Sequence, residues 1–308
     1  MNMAALMTVP NLIVAGSQKS GTTSLCAALE QHPDCYLSNP KEPNFFSRAV
    51  NEQRLASFSR CFRGVPDDAP VVVDGTTTYM ADPAIAERIY RMLGPDTKFI
   101  FALRSPRKRA YSGFLHMLKR GHERRTAQDA FLSLPDDPVA AVQTERANVE
   151  VAAAARQVVA GPYVRQYDDV LWNFRYLTNS LFADQIEPFE RLFGQDNILI
   201  LLFEDMVTDF MSERARIAAF LDIPEQGLPQ TLPRENQTRM PDTGTLWGRI
   251  DEQLRRIKRG NFVFVRKAEG QAPSRAPSDV DNKLTRLTDS EVAVWEQRLG
   301  RDLRAIGW

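Results

Sequence analysis

Residues 12–25 read LIVAGSQKSGTTSL, and this stretch decides the fold. Four apolar residues lead into Gly16, Gly21 follows after four intervening residues, and Thr22 then opens an apolar helical pattern. Glycines allow backbone N–H groups to approach an anion, and a helix N-terminus supplies a fractional positive charge there. The stretch therefore predicts a buried strand, an anion-binding loop and a helix, in that order.

The loop differs at one position from the P-loop of nucleotide-binding proteins. A P-loop carries a lysine directly after its second glycine, whereas this chain has Thr22 there and places Lys19 inside the loop. The hydroxyl groups of Thr22, Thr23 and Ser24 can add hydrogen-bond donors. The sequence therefore predicts anion binding by a loop that is P-loop-like in spacing but has its cation moved.

Three further short apolar runs predict buried strands, at residues 71–73, 99–103 and 198–203. Apolar runs without alternation suit a parallel sheet that is covered on both faces. Helical patterns lie between and after these runs, at residues 22–31, 82–93, 106–120, 182–193 and 210–221. This alternation predicts an α/β domain of three layers around a mostly parallel sheet.

We expect one domain over residues 1–308, with two segments that fit its core less well. Residues 121–180 are helical in pattern and rich in polar groups, and we expect them to form a helical insertion that covers the active site. Residues 229–285 are rich in Pro, Arg and Gly, which predicts a loop-rich segment with one helix near residues 246–258.

The C-terminal segment predicts one more helix. Thr288 with Glu291 matches a capping box, which marks a helix N-terminus. Val292, Trp295 and Leu299 then form an apolar stripe at helical spacing, which is typical of core packing.

Composition narrows the class of partner. The chain has 39 basic and 39 acidic side chains, so it lacks the overall positive field that nucleic-acid binding favours, and we expect no nucleic-acid partner. Cys26, Cys35 and Cys61 have neither disulfide-framework nor zinc-site spacing, which favours a reducing, cytoplasmic location and no metal. No signal peptide or membrane-spanning run is expected. The sequence leaves the oligomeric state open.

A second anion site is predicted where the strand at 99–103 ends. Arg104 follows this strand directly, and strand ends are where ligands bind in α/β sheets. The planar fork of an arginine suits phosphate oxygens. Two anion sites and a moved lysine favour a donor with phosphate at both ends of its ribose, such as 3′-phosphoadenosine-5′-phosphosulfate (PAPS). A lysine and backbone donors can stabilise sulfuryl transfer without a metal.

The sequence resembles the PAPS-dependent sulfotransferases, and more closely their bacterial and Golgi carbohydrate branch than their soluble phenol and steroid branch. Residues 18–25 (QKSGTTSL) resemble the family's 5′-phosphosulfate loop, and residues 103–112 (LRSPRKRAYS) its 3′-phosphate motif. Residues 41–46 (KEPNFF) resemble its Glu-containing segment, and residues 182–205 give weaker support. The resemblance implies donor contacts from Gln18, Lys19, Ser20, Gly21, Thr22, Thr23, Ser24, Arg104 and Ser112.

The resemblance also implies a mechanism. Lys19 would bind the bridging oxygen of the donor, and Glu42 would be the general base that takes the proton of the acceptor. A carboxylate can serve as base if the site desolvates it. His116 and His122 are rival bases, because the soluble branch uses histidine, although neither matches that branch's motif. The implied acceptor is a hydroxyl or amine of a small molecule, a lipid headgroup or a glycan.

The segment at residues 74–79 (DGTTTY) departs from the family pattern. Several carbohydrate sulfotransferases carry a catalytic lysine where this chain has Gly75, which leaves Lys19 as the main cation. Two other functions remain open at this point. One is an atypical P-loop kinase that uses ATP, Mg²⁺ and Asp74, and the other is a non-catalytic nucleotide-binding protein.

Overall fold

The computed structural model describes residues 8–47, 52–120, 122–123, 125–157, 173–235 and 275–308 of the chain. Its sheet has five parallel strands in the order β2-β3-β1-β4-β5. The strands are β1 (Leu12–Gly16), β2 (Cys35–Leu37), β3 (Val71–Asp74), β4 (Lys98–Leu103) and β5 (Ile198–Leu202). The predicted parallel α/β sheet is confirmed. The sequence missed β2, which is only three residues long.

Helices follow most of the strands. The α-helices in the described part are α1 (Thr22–Leu29), α2 (Glu52–Arg60), α3 (Pro83–Leu93), α4 (Pro106–Lys119), α5 (Ala127–Phe131), α6 (Pro138–Gln157), α7 (Ala183–Phe193), α8 (Phe203–Thr208), α9 (Phe210–Leu221) and α10 (Ser278–Leu299). Asp82 caps α3 by accepting a hydrogen bond from the N–H of Ala84 at 2.9 Å, ahead of a proline at the first helical position.

Both faces of the sheet are buried, which gives the three layers. Along β4, Phe99 and Phe101 face a cluster with Phe189 of α7, at ring-centroid distances of 5.1 and 5.3 Å. Ile100, between them in sequence, joins the opposite cluster with Leu25 of α1. Successive residues of a strand point to opposite faces, so an unbroken apolar run buries itself on both sides.

Strand order determines where a ligand can bind. The chain runs from β1 to β2 and β3 on one side and then crosses to β4 and β5 on the other, so the connections change direction beside β1. In open parallel sheets, ligands bind beyond the carboxyl ends of the strands at such a point. Gly16, Asp74 and Arg104 lie at or directly after the carboxyl ends of β1, β3 and β4.

The capping box predicted at Thr288 is wrong. Helix α10 begins ten residues earlier, and the Thr288 hydroxyl donates to the carbonyl of Leu284 at 2.8 Å, well inside the helix. The Glu291 carboxylate instead accepts from the N–H groups of Phe182 and Ala183, at 2.7 and 2.9 Å. It thus satisfies buried N–H donors at the start of α7 that have no partner within the helix, and a local sequence pattern cannot report such a contact between distant segments.

The two segments predicted outside the core are described in part. Residues 121–180 contain α5 and α6, which pack against α10, whereas residues 158–172 lie outside the described residues. Residues 236–274 also lie outside them, and with them the helix expected near residues 246–258. Among the described helices, none is long and apolar enough to cross a membrane.

Candidate active site

The loop between β1 and α1 requires an unusual backbone. Lys19 and Gly21 both have positive φ angles, of 76° and 84°. A Cβ atom at Gly21 would lie 2.7 Å from Cδ2 of Phe203, so the position needs glycine for space as well as for conformation. The first hydrogen bond of α1 runs from the N–H of Leu25 to the carbonyl of Gly21. The N–H groups of residues 22–24 precede it and are left for a ligand.

The loop is braced from inside by Ser17 and Ser20. The N–H of Ser17 donates to the carbonyl of Ala102 in β4 at 2.7 Å, which ties the loop to the neighbouring strand. The hydroxyls of Ser17 and Ser20 share a hydrogen bond of 2.6 Å, and both residues are buried. The Ser20 side chain therefore holds the loop in shape.

The three hydroxyls at the start of α1 differ in what they contact. The Ser24 hydroxyl accepts from the N–H of Glu235 at 3.3 Å. Thr22 and Thr23 make no side-chain hydrogen bond to any residue in the described part of the chain. Their hydroxyls are the ones that remain for a bound anion.

Arg109 of α4 holds the loop from the other side, and the sequence did not assign it a role. It is 2% exposed, and its Nε donates to the carbonyl of Gln18 at 3.0 Å while one terminal nitrogen donates to the carbonyl of Tyr176 at 3.2 Å. Burial lowers its pKa to about 10, against the opposing attraction of Glu145, so it stays charged at neutral pH. The sequence contains one signal of the burial of Arg109, because position 109 lies on the apolar stripe of α4 with Ala110 and Phe114.

Replacing Arg109 with Met should destabilise the protein by about 3 kcal/mol, because it leaves the carbonyls of Gln18 and Tyr176 and the buried carboxylate of Glu145 without their cation. Arg107→Met is the matched control. Arg107 lies on the same helix but pairs with the half-exposed Asp281 at 2.6 Å, and its loss should cost less than about 1 kcal/mol. Denaturant unfolding measures both. Equal losses would show that Arg109 has no special structural role.

Lys19 lies in an excess of positive charge. Burial and the nearby charges of Arg109 and Arg104, with smaller effects from Lys119 and Arg120, together lower the pKa of its ammonium from 10.5 to about 8. Like charges that are held together in a partly buried site repel one another and raise the free energy of the unliganded protein. A ligand with several negative charges would relieve this repulsion, so the cluster is suited to a polyanion.

Arg104 has an unsatisfied donor. One terminal nitrogen donates to the carbonyl of Lys19 at 3.3 Å, and the guanidinium lies over the Phe203 ring at 4.8 Å, but its buried Nε has no hydrogen-bond partner in the described part. The buried Ser105 hydroxyl beside it also has none there. Each such group costs about 1–3 kcal/mol if it stays unpaired. The Nε of Arg104 and the hydroxyl of Ser105 therefore indicate that a ligand supplies a hydrogen-bond acceptor at this place.

Ser112 and His116 share one face of α4 with Arg109. Positions 109, 112 and 116 are spaced at three and seven residues, which places them along one side of a helix. Since Arg109 contacts the loop and Lys19 affects the titration of His116, this side faces the loop. Burial, with the nearby cations, lowers the pKa of His116 to about 3. His116 is thus neutral and too weak a base to be a good proton acceptor.

Glu42 is held beside the sheet edge. Its Oε1 accepts from the Lys41 ammonium at 3.0 Å and from the Thr77 hydroxyl at 3.1 Å, and its side chain is 39% exposed. Thr77 lies in the turn that follows β3 and also lines a recess beside the loop. The recess is lined by Ser17, Gln18, Thr77, Thr78, Met80, Ala81, Arg109, Asn173, Asn179 and Gln185. The structure thus links the predicted base to a recess that begins at the anion-binding loop.

Asp74 is engaged in holding a turn. One carboxylate oxygen accepts from the N–H and hydroxyl of Thr76, at 3.0 and 2.6 Å, and the other accepts from the Tyr79 hydroxyl at 3.0 Å. The residue is fully buried, and desolvation raises its pKa to about 6. These bonds occupy the carboxylate that a kinase would need for Mg²⁺. Among the described residues, no group of three or more His, Cys, Asp or Glu side chains is placed to hold a metal ion.

Comparison with known proteins identifies the family. The model of the sulfotransferase domain matches residues 9–240 of the chain. The chain belongs to the sulfotransferase domain family. The matched range contains the anion-binding loop, Glu42, Arg104 and Ser112, so every residue that the sequence assigned to the site lies inside the sulfotransferase domain.

Curated relatives are sulfotransferases named for heparan sulfate. Heparan sulfate glucosamine 3-O-sulfotransferase 6 of Homo sapiens is 24% identical over 214 residues, which cover 70% of this chain and 52% of that protein. Bifunctional heparan sulfate N-deacetylase/N-sulfotransferase 1 of Caenorhabditis elegans is 28% identical over 115 residues, which cover 36% of this chain and 13% of that protein. The chain thus spans about half, or less, of the length of these relatives.

A solved structure supports the sulfotransferase fold over nearly the whole chain. The crystal structure of a sulfotransferase from Alicyclobacillus acidocaldarius superposes with a TM-score of 0.64, at 23% identity, and the match covers 97% of this chain and 99% of that one. The likeness therefore extends beyond the loop and its two flanking strands to the architecture as a whole.

Proposed function

We propose that the protein transfers a sulfuryl group from PAPS to a hydroxyl or amine of a small molecule, a lipid headgroup or a glycan. The observation that carries this proposal is a pair of anion-binding features that lie next to each other at the carboxyl ends of β1 and β4. Lys19 and the N–H groups at the start of α1 form the first, and Arg104 with its unsatisfied Nε forms the second. A donor with anionic groups at both ends of its ribose fits this pair.

The residues present fit such a donor. Lys19, Thr22 and Thr23 would hold its 5′-phosphosulfate, together with the N–H groups of residues 22–24. Arg104 and Ser112 would hold its 3′-phosphate. Gln18, Ser20, Gly21 and Ser24 act mainly by setting the shape of the loop, since Gln18 and Ser20 make internal contacts, Gly21 provides the turn and Ser24 binds Glu235.

Lys19 and Glu42 have different roles in the proposed transfer. The donor supplies a sulfuryl group bonded to its 5′-phosphate, and negative charge grows on that phosphate as the bond breaks. Lys19 neutralises this charge, with help from the backbone N–H groups, and no metal is required. Glu42 takes the proton of the attacking hydroxyl or amine. Arg109 keeps the loop in place throughout, since it binds the carbonyl of Gln18.

The recess beside the loop is the proposed acceptor site. Its lining includes Thr77, which contacts Glu42, and side-chain amide groups at positions 173, 179 and 185. Hydroxyl and amide groups suit an acceptor that is itself rich in hydroxyl groups. Since the relatives are named for heparan sulfate, glucosamine-containing glycans are the first acceptors to test. We also propose that residues 121–180 cover this side of the site within a single domain.

Replacing Glu42 with Gln tests the proposed function. Sulfate transfer should fall by about 10²–10⁴-fold, the usual contribution of a general base. Binding of 3′-phosphoadenosine-5′-phosphate (PAP) should stay within about twofold, because the carboxylate does not hold the donor. The assay follows radiolabelled sulfate from PAPS to glucosamine oligosaccharides, phenols and glycolipids, with Glu87→Gln on the exposed face of α3 as the control. Full activity of Glu42→Gln would contradict the assignment of the base.

The titration of Lys19 predicts how donor binding depends on pH. With a pKa of about 8, Lys19 loses its charge in the free protein above pH 8, whereas a bound polyanion favours the charged form. PAP binding should therefore take up a proton above pH 8, and affinity should fall by up to about tenfold per pH unit from pH 8 towards 10. Calorimetry across pH 6–10 measures this, and Lys19→Met should remove the dependence. A pH-independent affinity in the wild type would contradict it.

A further inference from the structure

Lys41 is fastened to the end of β3 through both its side chain and its backbone. Its ammonium donates to Oε1 of Glu42 at 3.0 Å and to the carbonyl of Gly75 at 3.1 Å. Its own carbonyl accepts from the N–H of Gly75 at 3.1 Å and from the Ser38 hydroxyl at 2.9 Å. The Lys41 side chain is 23% exposed. Four hydrogen bonds therefore fix the position of Lys41, and one of them is made to Glu42, the proposed base.

Gly75 provides the room for this arrangement. A Cβ atom there would lie 3.0 Å from Cγ of Lys41, 3.1 Å from its carbonyl oxygen and 3.0 Å from Sγ of the buried Cys26. These distances are closer than ordinary van der Waals contact, and both the backbone of Lys41 and the packed thiol resist displacement. A side chain at position 75 would thus displace Lys41, Cys26 or both by a few tenths of an ångström.

We propose that Lys41 is a positioning residue for Glu42, and that Gly75 makes this possible. The inference rests on the proposed role of Glu42 as the base. Lys41 and Thr77 both bind Oε1, so the carboxylate is fixed from two directions. Oε2 has no hydrogen bond to any residue in the described part, and it is the oxygen left to receive the proton of the acceptor.

A stabilising role alone does not account for this arrangement. Partly exposed ion pairs contribute only about 0–1 kcal/mol to folding, and this pair joins neighbours in the sequence. An orienting role is sensitive to small displacements, because a shift of about 1 Å in a reacting group can cost up to about 10²-fold in rate. The two roles therefore predict different changes in folding stability and in turnover.

A double-mutant cycle with Lys41→Met and Glu42→Gln tests the inference. The assay measures PAP release with water alone and with glucosamine oligosaccharides, so that turnover is followed with or without a suitable acceptor. Lys41→Met should lower kcat by about 10-fold, with PAP affinity and thermal unfolding close to wild type. In the Glu42→Gln background the same change should have no further effect.

Lys41→Arg should recover part of kcat, and Gly75→Ala should lower it. Arg91→Met removes an exposed cation on α3 and should change nothing.

Three other results would overturn the inference, each for a different reason. Equal losses from Lys41→Met in both backgrounds would show that Lys41 does not act through Glu42, and would overturn the inference while leaving Glu42 as the base. A loss of PAP affinity or of thermal stability that accounts for the change in rate would also overturn it, in favour of a structural role. Full activity of Glu42→Gln would remove the base itself, and the inference with it.

Discussion

Lys19→Met should lower turnover at saturating PAPS by about 10³-fold. Removing one preorganised donor to a developing negative charge costs about 10²–10³-fold in known cases, and Lys19 supplies a full charge in a partly buried position. PAP affinity should fall less, by about 10–100-fold, because the N–H groups at the start of α1 and Arg104 continue to hold the ligand. Single-turnover sulfate transfer and calorimetry separate the two effects.

Lys19→Arg serves as the matched variant for that prediction. It retains the charge, but the wider guanidinium must fit a loop whose backbone has a positive φ at this position, so it should recover binding better than turnover. Turnover of Lys19→Met within about threefold of wild type would show that Lys19 does not stabilise the leaving group.

Arg104→Ala should weaken PAP binding by about 100-fold, the upper range for a hydrogen-bonded contact to a charged group. The same change should alter the affinity for adenosine 5′-monophosphate by less than about threefold, because that ligand lacks the 3′-phosphate. The physical reason is the unsatisfied Nε of Arg104, which is buried and held in place by the Phe203 ring and the carbonyl of Lys19. Calorimetric titration of both ligands gives the two ratios.

Arg107→Ala is the control for Arg104, since it also removes a guanidinium near the start of α4. Arg107 binds Asp281 and the carbonyl of Gly307, away from the loop, and its loss should leave PAP affinity unchanged. Equal losses for PAP and the monophosphate in Arg104→Ala would assign Arg104 to the loop itself and not to the second phosphate.

The loop could be predicted because its determinants are contiguous. Strand, glycine turn and helix start all lie within residues 12–25, and each follows from local residue chemistry. Arg104 was predictable for a similar reason, since it directly follows a recognisable strand. The parallel sheet followed from four unalternating apolar runs, whereas β2 has too few residues to give such a signal.

Contacts between distant segments could not be predicted. The sequence assigned no role to Arg109, which is buried and binds the carbonyls of Gln18 and Tyr176, both far from it along the chain. Glu42 depends in the same way on Thr77, 35 positions away. The wrong capping box at Thr288 has the same origin, since Glu291 caps a helix that is distant in sequence.

The most direct test of the central claim is calorimetric titration of the wild-type protein with PAP in the presence of EDTA, beside ATP with Mg²⁺. The site has two cationic features that can meet the anionic groups of PAP directly, so PAP should bind without metal and more tightly than ATP with Mg²⁺ by at least about 10-fold. Tighter binding of ATP with Mg²⁺, or PAP binding that EDTA abolishes, would contradict the assignment of this loop to PAPS.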